Sequence, residues 1–371
     1  MSAYNQSRIR LFRKCQKAYS FRYDYAPGNQ ELVPRVSKVG FYRGSWMHML
    51  QQVHHRLWAG EKEVEIKIPK GRALASMNVS SWEEAQAALT YEYEQLFEEE
   101  RAELDFSPDD CERLFKSYLK FWEADDERYT VAKLHDGTPA VEFVIEVPLK
   151  QWGITIPFKG QIDLLVEDNE LGGLWIWDHK WVKNVPDDDE RMMSPQALMY
   201  AWALRRLGYD IRGFLFNYGR TKAPTIPRML KNGTLSLAKN IDTDHATYLE
   251  SIKDLHQKRW KEYATTVYAE KLESLKDREV LWFRRERISL EKPRVKQALG
   301  EFIATIHDIE DRRTGVFVPR TYQFSCGWRK GGCEYHGLCV SEFNGLDIQP
   351  LIKKNYIFEG ERYGETVVEE Q

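Results

Sequence analysis

Asp163, Asp178 and Lys180 are the residues of this chain whose types and spacing could do chemistry together. Asp163 lies in IPFKGQIDLLVE, an apolar and β-prone run. Asp178 and Lys180 lie in GLWIWDHKWV, which follows the short turn DNELGG. The two runs predict a β-hairpin whose second strand carries Asp178 and Lys180. Side chains alternate along a strand, so Asp178 and Lys180 share one face and His179 takes the other. An unpaired acid inside an apolar run is costly. Two of them on adjacent strands therefore point to a shared divalent cation, Mg²⁺ or Mn²⁺ if the ligands are oxygens with one imidazole. Such a cation relieves the repulsion between the carboxylates, polarises a phosphoryl oxygen and acidifies a bound water. Lys180 can orient that water or help to deprotonate it. The chemistry this set supports is metal-dependent phosphodiester hydrolysis.

Several elements must position these groups. SPQALMYAWALRRLG predicts a helix with Ser194 as N-cap and Pro195 in the first turn. Gln196 and Tyr200 are four apart and share its site-facing side. AVEFVIEVPL, residues 140–149, predicts the strand before the hairpin, with one polar face made by Glu142 and Glu146. Glu142 could support the site from behind its ligands, but an exposed glutamate is the favoured reading. IRGFLFNYGRTK predicts a further strand completing a mixed sheet. Upstream, GFYRGSWMHMLQQVHHRLWAG predicts a helix from near Gly44 to Gly60. His48, Gln52 and His55 share a face of it and His54 is turned away.

Three pieces in order, GQID with Asp163, DHK with Asp178 and Lys180, and Q-x-x-x-Y with Gln196 and Tyr200, resemble the PD-(D/E)xK nuclease superfamily. Within it they are similar to the RecB-like exonuclease branch. A lone D-x-K occurs often by chance, whereas three pieces on strand, strand and helix are specific. The resemblance implies an α/β, restriction-endonuclease-like mixed β-sheet flanked by helices, with helical insertions. G-S-W-M-H resembles the family's helical histidine motif and makes His48 the imidazole ligand. The implied metal ligands are His48, Asp163, Asp178 and the backbone carbonyl of His179. Lys180 would position the water, and Gln196 and Tyr200 would hold DNA or orient the lysine. The implied activity is a Mg²⁺- or Mn²⁺-dependent deoxyribonuclease, an exonuclease acting on DNA with free ends in recombination, repair or phage DNA processing. Two alternatives stay open: a non-catalytic iron-sulfur DNA-binding subunit, and an endonuclease trimming fragments for CRISPR adaptation.

The five cysteines divide in a way that matters. Cys111 stands alone in an amphipathic helix and reads as a small core residue. Cys15 lies within a basic helical stretch, residues 5–23, with Ile9, Phe12 and Tyr19 at helical spacing, and Cys326, Cys333 and Cys339 close the chain's structured part in CGWRKGGCEYHGLC. One N-terminal cysteine plus a C-terminal trio resembles the [4Fe-4S] arrangement of RecB-like nucleases, including phage-encoded and CRISPR-associated members and the AddB nuclease domain. The six-residue first gap departs from the tighter spacing of those relatives, and four thiolates also suit Zn²⁺. The implied role is a staple between the first helix and the last loop, with His336 as an alternative ligand.

The rest bounds the picture. Net charge is −3, so DNA contacts must come from local basic patches. Those patches are the 5–23 helix, with Arg8, Arg10, Arg13, Lys14, Lys17 and Arg22, and the Pro- and Gly-containing excursion 220–241. The latter reads equally as a DNA-contacting loop and as an exposed connector. Residues 81–128 predict two acidic helices, and a long helix from Asp244 to Arg278, a strand VLWFRRERI and a helix from Pro293 to Arg313 follow. The organisation expected is one nuclease domain over 1–345, with N-terminal helices 5–60, a helical insertion 61–135 and a catalytic core 140–220. After them come a basic loop and helices 221–313, a Cys-rich segment 315–345 and a tail 346–371. There is no helicase phosphate loop, so unwinding needs a helicase, and a recombinase or integrase is the other class of partner. The polar, basic N-terminus and the lack of a long apolar run predict a cytoplasmic protein with no membrane segment.

Overall fold

The computed structural model describes residues 3–25, 27–28, 30–35, 39–70, 73–104, 106–123, 127–184, 194–276, 282–312, 317–321, 326, 332–359 and 367–368. The chain opens with α1 (Gln6–Lys14) and α2 (Gln16–Tyr19), a π-helical turn (Ser20–Asp24), β1 (Glu31–Pro34) and α3 (Val39–Trp58). A hairpin of β2 (Val64–Lys70) and β3 (Ala73–Val79) leads to α4 (Trp82–Glu94), α5 (Glu98–Glu103) and α6 (Pro108–Trp122). Then come β4 (Tyr129–Val131), β5 (Val141–Val147), β6 (Phe158–Asp168), β7 (Leu174–Val182), α7 (Pro195–Arg206) and β8 (Ile211–Arg220). The chain continues through α8 (His245–His256), α9 (Trp260–Thr265), α10 (Ala269–Glu273), β9 (Phe283–Ile288) and α11 (Lys292–Arg312). It closes with α12 (His336–Phe343), α13 (Gln349–Asn355), β10 (Tyr356–Glu359) and β11 (Val367–Val368).

The central sheet runs β11-β5-β6-β7-β8-β9, with β4 also paired to β6. β5, β6 and β7 form an antiparallel meander, whereas β7 and β8 are parallel and are joined through α7. A parallel pair needs such a crossover because its strands cannot be linked by a tight turn. Strand alternation sends each side of the sheet to a different core. Phe214 and Phe216 of β8 pack on one side with Ala197, Met199 and Ala201 of α7 and with Phe302 and Ile306 of α11. Trp175, Trp177 and Leu215 line the other side, against Trp58 of α3. Beyond them Trp46 and Leu50 of α3 join Leu114 and Phe115 of α6 and Ile66 and Ile68 of the hairpin. The mixed α/β sheet flanked by helices is the restriction-endonuclease-like architecture that the motifs imply.

Several expected elements are corrected. The 5–23 helix is broken at Cys15, which is extended, and Tyr19 folds back so that its ring meets Phe12 edge-on and its hydroxyl accepts from Arg8 Nε at 2.9 Å. Arg8, expected on the charged face, is therefore buried beneath Tyr4, Tyr19 and Tyr23. α3 begins at Val39, earlier than Gly44, because a helix interior tolerates a glycine at modest cost. The first acidic helix is split at 95–97, where Gln95 ends α4 as its C-cap, its N–H donating to Glu92 O and Tyr93 O. The insertion read as helical starts with the β2–β3 hairpin, whose Val64, Ile66 and Ile68 are buried while Glu65 and Lys67 alternate outward. The long helix from Asp244 is interrupted at Gln257, in left-handed backbone, so that Tyr248 and Tyr268 can share one small core. Cys111 is buried, as expected, and burial pushes its thiol up to about 12.

The chain's two ends are tied together. β1 and β10 pair antiparallel, Leu32 beside Phe358, and the Tyr335 hydroxyl donates to Leu32 O at 2.6 Å. Phe21, Leu338, Ile352 and Tyr356 pack around this joint.

Candidate active site

The site forms where the meander is irregular. Pairing of β5 with β6 joins Val141 to Leu164 and Phe143 to Ile162, which puts Glu142 opposite Asp163. Residues two apart on a regular strand keep to one face. Here Val141 and Leu164 belong to the core on the α3 side, while Phe143 and Ile162 belong to the core on the α7 side. Both strands exchange faces at the same point, and Glu142 takes φ +50° to do so. A side chain rarely adopts that backbone, and such positions gather at functional sites. The β6–β7 ladder also stops short, at Leu164 and Trp177. In its place the Asp163 carboxylate accepts the His179 N–H at 2.7 Å. Since an extended residue's N–H and C=O leave the same edge of a strand, the His179 carbonyl faces the Asp163 side as well.

His48 enters from α3. Its Nδ1 lies 3.8 Å from Asp163 Oδ2 and 3.9 Å from Glu142 Oε1. One ligand atom from each of these three residues can be chosen so that all lie within 4.8 Å of one another. Gln161 Nε2 donates to Glu142 Oε2 at 2.7 Å, holding that carboxylate in place. On the α7 side, Lys180 Nζ lies 2.5 Å from Asp178 Oδ2. Gln196 Nε2 donates to Asp178 Oδ1 at 3.1 Å and to the Tyr200 hydroxyl at 3.2 Å. The α7 register thus lets one glutamine bridge Asp178 and Tyr200, while Ser194 holds the N-cap position without a side-chain cap bond. Gly160 of the GQID run has its own part: a Cβ there would come within 2.7 Å of Tyr200 Cε1, so only glycine lets that ring lie on β6.

His179 divides the DHK triplet between the two faces of the sheet. Its ring turns to the α3 side, where the Gln51 and Asn217 amides approach Nδ1 at 3.1 and 3.0 Å and His55 stacks at 4.9 Å. Gln51 Oε1 in turn accepts from Trp181 Nε1 at 2.9 Å. α3 therefore supplies both His48, beside Asp163 and Glu142, and Gln51, beside His179.

The electrostatics are those of a crowded acidic site. Burial pushes Asp178 up to about 6, with Asp163 adding to the rise and Lys180 opposing it. Asp163 is raised as well, first by burial and then by Glu142, against His48 and Lys180. Burial disfavours the charged forms of His48 and Lys180, but the surrounding carboxylates outweigh it and raise both. His48 and Lys180 keep 33% and 34% of their side chains exposed, so the cluster opens to solvent.

The donor set fits a hard divalent cation. Oxygen donors from Asp163 and Glu142, one imidazole and the nearby Asp178 are what Mg²⁺ or Mn²⁺ accepts. Among the described residues the three-residue cluster contains Glu142 where Asp178 was expected, Asp178 being engaged by Lys180 and Gln196. Glu142, read from sequence as exposed, is the residue that reasoning missed. The available signal was its position one strand before GQID, in a run whose apolar residues are not strictly alternate.

The four cysteines of the expected staple are less tightly grouped. Cys15 and Cys326 both influence the Cys333 thiol, and Cys326 Sγ donates to Thr321 O at 2.8 Å. Cys15 also interacts with Thr321, and its backbone hydrogen bonds outweigh burial and lower its thiol. Cys15, Cys333 and Cys339 border one apolar cluster. No metal-type grouping of the four occurs among the described residues, and residues 322–325 and 327–331 lie outside them.

No helix among the described residues is long and apolar enough to cross a membrane. None of the curated proteins searched matches the chain. The profile of the PD-(D/E)XK nuclease superfamily matches residues 3–340, which include every motif residue discussed above. With that match spanning nearly the whole length and a sheet of the corresponding architecture beneath it, the chain belongs to the PD-(D/E)XK nuclease superfamily.

Proposed function

We propose that this nuclease is a Mg²⁺- or Mn²⁺-dependent deoxyribonuclease of the RecB-like branch, an exonuclease hydrolysing DNA from free ends. The observation that carries this reading is the convergence of His48, Glu142 and Asp163 on one point, with the Asp178–Lys180 pair beside it. His48, Asp163, Asp178, the His179 carbonyl and Glu142 would hold the cation. When bound, it supplies Lewis-acid polarisation of a phosphate oxygen and a more acidic water. Lys180, held cationic by Asp178, places an ammonium where it orients that water and offsets charge building on the phosphate oxygens. Gln196 fixes the Asp178 carboxylate from the side opposite Lys180, and Tyr200 fixes Gln196. The reaction adds water to phosphorus and breaks one P–O ester bond, the proton passing to solvent or to the leaving oxygen.

The proposal extends to a single nuclease domain over 1–345, recombination, repair or phage DNA processing as the setting, and a four-cysteine [4Fe-4S] staple from Cys15, Cys326, Cys333 and Cys339. Supporting the staple are the influence of Cys15 and Cys326 on the Cys333 thiol and the place of Cys15, Cys333 and Cys339 at the joint between β1 and β10. Anaerobically purified protein should be brown and contain iron. Stoichiometric zinc without iron would replace the cluster by a zinc site.

The deciding assay digests linear single- and double-stranded DNA, labelled at either end in separate reactions, with Mg²⁺ or Mn²⁺. Wild type should degrade it and Asp178→Ala should not. Binding without degradation by either protein would leave a non-catalytic DNA-binding subunit as the better reading.

A further inference from the structure

The segment between β8 and β9 forms a lobe with a core of its own. Leu235, Tyr248, Ile252, Tyr268, Leu272 and Leu275 pack together in it. Leu235 anchors a turn to this core, its N–H donating to the Tyr268 hydroxyl at 2.9 Å, while Tyr248 donates to Ser236 O at 3.0 Å. The turn itself is tied by Leu230 N to Thr234 O at 2.7 Å, by the Met229–Leu235 bridge and by Gly233 in left-handed backbone. Its outer side is unusual in composition. Ile226, Met229 and Leu230 are 57%, 64% and 44% exposed, and the exposed cations Arg228, Lys231 and Lys239 stand among them. No acid occurs between Ala223 and Ile241, in a chain whose net charge is −3.

The lobe leaves the sheet beside the site. Thr221 N donates to Val182 O at 2.9 Å, two residues past Lys180 on β7, and Arg43 of α3 donates to Thr221 O at 2.7 Å. At about 3.3 Å per residue and 4.8 Å per strand, its root lies roughly 10 Å from Lys180.

We infer that the turn 226–239 is a rigid wedge for DNA ends: Ile226, Met229 and Leu230 press against the terminal bases while Arg228, Lys231 and Lys239 hold the flanking phosphates. The inference rests on the reading that DNA is the substrate. Cations without acids complement a polyanion, and aliphatic side chains that solvent would otherwise wet can wedge against a base step and unstack it. A turn bolted to a packed core keeps that wedge stiff. The substrate it selects is a duplex end that must be frayed before a strand reaches Lys180.

The test needs no turnover, so its failure is separable from failure of the hydrolysis assay. Full-length Asp178→Ala protein is bound to duplexes carrying 2-aminopurine at the last pair or in the middle. Fluorescence should rise at the last pair only. Adding Met229→Ser and Leu230→Ser should remove most of that rise while the melting temperature is kept. Adding instead Arg228→Gln, Lys231→Gln and Lys239→Gln should weaken binding and flatten the log–log salt dependence by roughly two to three units. An unchanged terminal signal in the serine variant overturns the wedge and leaves the aliphatic residues as a protein-docking patch. An unchanged salt slope in the glutamine variant overturns the phosphate contacts.

Discussion

Glu142 and Asp163 stand opposite each other on neighbouring strands at the point where both strands exchange faces. The irregularity is what brings the two carboxylates to His48. Removing the charge of Glu142 should therefore weaken the cation site without unfolding the sheet. Glu142→Gln is expected to raise the Mg²⁺ or Mn²⁺ concentration needed for half-maximal cleavage about 10- to 100-fold. Metal titrations of wild type and variant check this, and coincident curves would place Glu142 outside the cation's reach.

Lys180→Met keeps the length of the side chain and deletes its charge. Cleavage should fall by roughly 10² to 10⁴ at saturating metal, the range for a lost proton-handling or orienting group. Asp178, deprived of its partner at 2.5 Å, should titrate higher still. A pH–rate profile displaced to higher pH in whatever activity remains would show it; an unshifted profile would separate Lys180 from Asp178.

The site's own contribution to the stability of the metal-free protein should fall as pH rises. Asp178, Asp163 and His48 are all raised in the fold, so between ordinary carboxylate and neutral pH these groups bind more protons in the folded chain than in the unfolded one. By linkage, their contribution declines with pH through the window near 6, whereas His54, His55 and His179, all lowered by burial, contribute with the opposite sign. The slope is about 1.4 kcal/mol per pH unit wherever Asp178 is protonated in the fold and ionised in the unfolded chain. A divalent cation displaces those protons. Thermal melting at pH 5.5 and 7.5, with and without Ca²⁺ or Mg²⁺, should show a larger stabilisation by metal at the higher pH.

Gly160→Ala should cost about 1–3 kcal/mol, because its methyl meets the ring of Tyr200, which is packed in the core. Tyr200→Ala removes the obstruction along with its own contacts. The double variant should therefore lose less stability than the sum of the singles, a coupling that denaturant melts can measure.

Much of the site was legible because its parts obey local rules. Asp178 and Lys180 share a face since side chains alternate on β7, and Gln196 and Tyr200 share one since α7 has helical period. The order of strands β5, β6, β7 and β8 followed from apolar runs and turn residues. Glu142 was not legible as a neighbour of Asp163 and His48, because period-two reasoning assigns VEFVIEV a regular polar face and the exchange of faces is a property of the pair of strands. Gln51 escaped for a similar reason: its partner His179 is brought to it only by packing of α3 on the sheet. The breaks at Cys15 and Gln257 serve the packing of Tyr19 and Tyr268, contacts that a local helical pattern does not record.

The pairing of β1 with β10 also has a consequence during synthesis. Tyr335 and Leu32 are 303 positions apart, so β1 cannot pair with β10 until residues 356–359 have left the ribosome. Loop closure over such a distance is slow relative to formation of the β5–β7 meander, whose contacts are near in sequence. Helix α1 can dock earlier, since Tyr4, Ile9 and Phe12 pack in the core of the central sheet, but Phe21 and Leu32, with Cys15 at their border, stay uncovered until Tyr335, Leu338 and Tyr356 pack on them.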